Sequence, residues 1–66
     1  MDDKLNMSMR KFLKQVGVTS QQAIEEAMRE AGPKAAGKSH PIRMVLTIEG
    51  LDMEHVVEGE IEGPAA

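Results

Sequence analysis

Apolar residues recur with a helical period along the first quarter of the chain. Leu5, Met9, Phe12, Leu13 and Val16 fall at i, i+4, i+7, i+8 and i+11, which is one stripe of an amphipathic helix. Asp2 and Asp3 stand at the positive end of its dipole and Lys14 near the negative end. Gly17 follows, a residue type that takes the left-handed conformation in which many helices stop. The next residues carry start signals: Thr19 as an N-cap, Gln22 completing a capping box, and Val18 with Ala23 as a small hydrophobic staple. Ala23, Ile24, Ala27, Met28 and Ala31 form a narrow apolar face before Gly32–Pro33 ends it. The pattern predicts two helices, about 3–16 and about 20–31, meeting at a corner on Gly17.

The period then changes. Residues 32–41, "GPKAAGKSHP", have no apolar periodicity and predict a flexible linker. From Ile42 the period is two: Ile42, Met44, Leu46 and Ile48 alternate with Arg43, Val45, Thr47 and Glu49. "EGLD" turns the chain at Gly50, and "MEHVVEGEI" returns. In the expected register Ile48 meets Met53, Leu46 meets His55, Met44 meets Val57 and Ile42 meets Gly59. On the other face Val45 meets Val56, Thr47 meets Glu54 and Arg43 meets Glu58. A slip of one residue would turn the return strand over. The hairpin is expected over about 42–61, with "EGPAA" fraying beyond it. A two-stranded sheet is not stable alone, so its apolar face is expected to lie on the helices. The predicted fold class is α+β with the order α-α-β-β, a helical hairpin packed on a two-stranded antiparallel β-hairpin, in one small domain over 1–66.

Composition narrows the means of stabilisation. Sixty-six residues bury a modest core, and such domains usually need a staple. There is no cysteine, which excludes disulfides and thiolate zinc sites. His40 and His55 cannot alone close a metal site, so no metal or cofactor is expected. Oligomerisation is the staple left open, including a homodimer built by edge-to-edge strand pairing, although Glu54, Glu58 and Glu60 oppose careless pairing. Phe12 is the single aromatic residue and the six methionines read as gap-filling core. No apolar run approaches the ~20 residues of a membrane span, and the first residues lack a secretory pattern. The expectation is a cytoplasmic chain with no membrane partner.

The net charge of −3 hides an alternation. Residues 1–17 carry +2, residues 18–31 carry −2, residues 32–43 carry +3, and the remainder carries −6. The corner at Gly17 has the look of a DNA-reading helix-turn-helix, but the residue four before the glycine is the large Leu13, and Glu25, Glu26 and Glu30 would face phosphates. The corner is therefore read as structural and nucleic acid is not the expected partner. The basic face of Arg10, Lys11 and Lys14 is the one credible phosphate contact.

"GPKAAGKS", residues 32–39, matches the phosphate-loop pattern G-x-x-x-x-G-K-[ST] letter for letter. Its context does not fit, because a helix precedes it and a proline and strand follow. Pro33 also removes a backbone donor. Catalytic chemistry is sparse as well. His55 is expected partly buried opposite Leu46, with Glu54 and Glu58 on the other face. Ser8, Ser20 and Ser39 have no local base, and His40 is expected exposed in the linker. No enzymatic activity is expected.

Two segments, "LNMSMRKFLKQVGVTSQQAIEEA" (5–27) and the later "LTIEGLDMEHVVEGEI", together resemble a family of short bacterial proteins known only as a domain of unknown function. The resemblance implies an intracellular bacterial setting and brings no catalytic motif, cofactor or substrate. The leading reading is a non-catalytic protein-interaction module with an unknown protein partner, using the basic helix face of Arg10, Lys11 and Lys14 and the hairpin positions Arg43, Val45 and Val56. The alternatives are a nucleic-acid accessory protein acting through the same basic face and, more remotely, a nucleotide binder using residues 32–39.

Overall fold

Gly17 does not break the helix. In the structure, a computed structural model that describes residues 2–65, one α-helix runs over Asp3–Ala31 (α1, 29 residues). The two predicted helices and the corner between them are thus replaced by a single element. Thr19 caps nothing: its hydroxyl donates to the carbonyl of Gln15, 2.8 Å away and one turn back. Val18, the expected staple residue, is exposed in mid-helix.

The energetics account for this outcome. A glycine inside a helix costs about 1 kcal/mol relative to alanine. Stopping and restarting would instead orphan up to four carbonyls and four amides. Strong helix formers flank the position, among them Lys14, Gln15, Gln21, Gln22, Glu25 and Glu26. The true N-cap is Asp2, whose carboxylate accepts from the Lys4 amide at 3.0 Å while its carbonyl accepts from the Asn6 amide. The predicted stop is correct. Gly32 takes φ 59°, and a short 3-10 turn (η1) covers Gly32–Lys34.

Residues Met1–Ala31 and Gly32–Ala66 form two compact units. The second holds an antiparallel hairpin of β1 (Ser39–Thr47) and β2 (Glu54–Glu62). Every pair of the expected register from Ile42–Gly59 to Thr47–Glu54 is present. Ile48 and Met53 lie beyond the ladder, in the loop. The turn is closed by the Leu51 amide donating to the Ile48 carbonyl at 3.1 Å, with Gly50 at φ 87°. That positive φ is what the third residue of a type II turn requires.

The hairpin is longer than expected at its open end. Ser39, His40 and Pro41, placed in the linker by the sequence, pair with Glu62, Ile61 and Glu60. The rest of that segment is tied down by residues 63 and 64. The Gly63 amide donates to the Lys38 carbonyl at 2.7 Å, and the Gly37 amide donates to the Pro64 carbonyl at 2.8 Å. Gly63 and Pro64, expected to fray, therefore fasten the turn. Ala35 sits inside this knot and, at 2 % exposure, is the one buried residue among the described residues. A side chain at position 63 would run into the Ala35 carbonyl, so the close approach needs glycine.

Candidate functional site

Arg10 and Lys14 lie one turn apart on α1, with Lys11 beside them, and all three are exposed. The opposite side of the helix carries the apolar residues. At about 100° per residue, Leu5, Met9, Phe12, Leu13, Val16, Ser20, Ala23, Ile24, Ala27 and Ala31 share a sector roughly 120° wide. The stripe passes Gly17 without a phase change. Its first half is bulky and open to solvent: Phe12 is 49 % exposed and Leu13 55 %, with Leu5 and Met9 also exposed. Its second half is small apart from Ile24, and Val16, Ser20 and Ile24 are half-buried, as is Met28 beside the sector.

On the hairpin, the register collects Arg43, Val45 and Val56 on one face. Val45 is directly opposite Val56, and both are exposed. The Arg43 guanidinium lies 3.9 Å from the Glu58 carboxylate, with the two side chains 62 % and 73 % exposed. A pair so open to water contributes little. The same face carries Glu54, Glu58, Glu60 and Glu62 along β2, an acidic row whose signal was the alternation in "EHVVEGEIE". Ser39 donates its hydroxyl to Glu60 at 2.7 Å. The other face holds Ile42, Leu46 and Ile61, half-buried, with Met44 and Val57 exposed.

Both histidines depart from expectation. His55 does pair with Leu46 but is exposed. His40, expected exposed, is half-buried because β1 begins one residue before it and places it across from Ile61. Its Nε2 lies 3.0 Å from the Ala35 carbonyl. A carbonyl only accepts, so Nε2 carries the proton in this contact.

The segment with the phosphate-loop pattern spends its backbone donors internally. The Ala35 amide bonds the Gly32 carbonyl, the Ala36 amide the Pro33 carbonyl, and the Gly37 amide the Pro64 carbonyl. These amides are not aimed at a common point where phosphate oxygens could sit. A helix precedes the segment and a strand follows it, the reverse of the phosphate-loop order. Among the described residues, no group of three or more His, Asp or Glu side chains is placed to hold a metal ion. No helix among them is long and apolar enough to cross a membrane.

Fold and surface together define a small α+β protein, one long amphipathic helix followed by a two-stranded hairpin, with most of the large apolar side chains exposed among the described residues. The chain belongs to a family of unknown function, DUF6494, whose model matches residues 1–64. No curated protein and no solved structure matches it.

Proposed function

We propose that this chain is a non-catalytic protein-interaction module. The observation that carries the reading is the distribution of apolar surface. Leu5, Met9, Phe12 and Leu13 on α1, and Met44, Val45, Val56 and Val57 on the hairpin, are all exposed, while Ala35 alone is buried among the described residues. Clusters of large apolar side chains left open to water, such as the one on α1, mark places where another surface binds. Arg10, Lys11 and Lys14 form a separate, basic face on the other side of the helix and supply charge for long-range steering of a partner. Arg43, Val45 and Val56 offer a second, flatter contact on a sheet whose two strands each keep an unpaired edge. In this reading the cytoplasm is the working compartment and no cofactor takes part.

The test is capture by the immobilised full chain from a lysate of cells that produce it, run beside the double variants Phe12→Glu/Leu13→Glu and Val45→Lys/Val56→Lys. The reading expects a stoichiometric bound protein, either another species or the chain itself, lost in at least one variant whose circular dichroism is unchanged. A chain that captures nothing and sediments as a monomer at every concentration sinks it.

A further inference from the structure

We propose that the outer edge of β2 accepts an extended, basic segment of a partner protein as a third strand. The inference rests on the interaction-module reading, and it names one surface of that module and the chemistry that fits there.

The first argument is the direction of the backbone groups. The Gly63 amide donates to the Lys38 carbonyl, and the register runs unbroken from Ser39–Glu62 to Thr47–Glu54. In an antiparallel ladder, pairs that exchange hydrogen bonds alternate with pairs that do not. Counting from Lys38 and Gly63, the pairs His40–Ile61, Ile42–Gly59, Met44–Val57 and Leu46–His55 exchange bonds across the hairpin. The amides and carbonyls of the residues between them point away from it. On β1 these residues are Ser39, Pro41, Arg43, Val45 and Thr47, and Pro41 has no amide to offer. On β2 they are Glu54, Val56, Glu58, Glu60 and Glu62, an unbroken row of donors and acceptors. Among the described residues no backbone group outside the hairpin bonds them, and all five residues are exposed. The two edges are therefore unlike: a proline blunts β1, and β2 is open.

The second argument is charge. The same five residues share one face of the sheet, and four of them are glutamates. A strand added at this edge sets every second side chain beside one of them. Lysine or arginine at those positions gives opposite-charge neighbours across the strands. The hairpin itself supplies one cation to this face, Arg43, in an exposed pair with Glu58. A second copy of β2 is disfavoured by the same rule, because antiparallel pairing about Glu58 would set Glu58 against Glu58 and Glu54 against Glu62. On the other face the edge strand shows Val57 and Ile61, so the positions between the cations of the incoming segment are apolar.

The experiment follows the backbone amides of the full chain by nuclear magnetic resonance. The probe is a synthetic peptide in which lysine and valine alternate. One control has the same composition with its lysines grouped at one end, and another has N-methylated backbone amides. In the free chain the amides of Val57, Gly59 and Ile61 should exchange slowly, and those of Val56, Glu58, Glu60 and Glu62 fast. Added peptide should shift and protect the second set and leave the amides of Arg43, Val45 and Thr47 unprotected. Glu58→Gln/Glu60→Gln should weaken binding roughly three- to tenfold, with slow exchange at Val57 and Gly59 showing that the hairpin is intact.

Equal binding of either control overturns strand addition, because attraction between charges alone would then account for the contact. Protection of the outward β2 amides that grows with chain concentration, without peptide, overturns the basic partner in favour of a second copy. No binding of the alternating peptide overturns the proposal outright. If the chain then still captures a protein that Phe12→Glu/Leu13→Glu loses, the interaction-module reading survives without this edge.

Discussion

The Thr19 hydroxyl donates to the Gln15 carbonyl within one continuous helix. That 2.8 Å contact separates two readings of the same residue, because an N-cap side chain would accept from amides further along the chain, whereas here it points back. The bond runs across Gly17, the residue at which the helix was expected to end.

Gly17→Ala follows directly. Gly17 is not among the glycines with positive φ, and a methyl group there meets nothing within 4 Å. The substitution should stabilise α1 by about 0.5–1 kcal/mol, read as a rise in melting temperature and in helical circular dichroism. Loss of stability would mean a left-handed glycine at that position, and with it the two-helix corner.

Thr19→Ala gives a second, independent reading. Removal of an N-cap costs about 1 kcal/mol. Removal of a back-bonded threonine from a helix interior should instead be neutral or stabilising by a few tenths of a kcal/mol. Urea denaturation distinguishes the two signs.

Gly63→Ala should be among the most damaging single-methyl changes in the second unit. The added carbon meets the Ala35 carbonyl, and the backbone must move to admit it. The expected cost is about 1–3 kcal/mol, together with loss of amide protection at Gly37 and Gly63, whose bonds close the knot. Hydrogen exchange at those two amides measures it. Unchanged protection would remove Gly63 from its assigned place.

Arg43→Ala should change stability by less than about 0.5 kcal/mol, since the Arg43–Glu58 pair is exposed on both sides. Added salt should leave the difference between variant and parent almost unchanged. A larger loss would show a buried role for Arg43, such as an interface on that face of the hairpin.

Much of this molecule was legible from period and turn chemistry. The alternation from Ile42 to Thr47 fixed which residues of β1 share a face, and the Gly50 turn then set every partner on β2. The helix stop at Gly32 followed from a glycine before a proline. The local break signals at Gly17, Thr19 and Gln22 are overridden, and the apolar stripe keeps its phase from Leu5 through Val16 to Ala27. Continuity of phase was the stronger signal, since a true break resets the angle of the second helix.

The periods, the hairpin register, the alternation of charge along the chain and the residues able to form an apolar stripe are all written in the order of residues. These are local properties, set by spacing along a helix or strand and by the few conformations open to glycine and proline. Only the folded structure decided that His40 rather than His55 is half-buried, and that Gly63 and Pro64 fasten the turn around Ala35. Those outcomes depend on contacts between residues far apart in the chain, which spacing along one element does not encode.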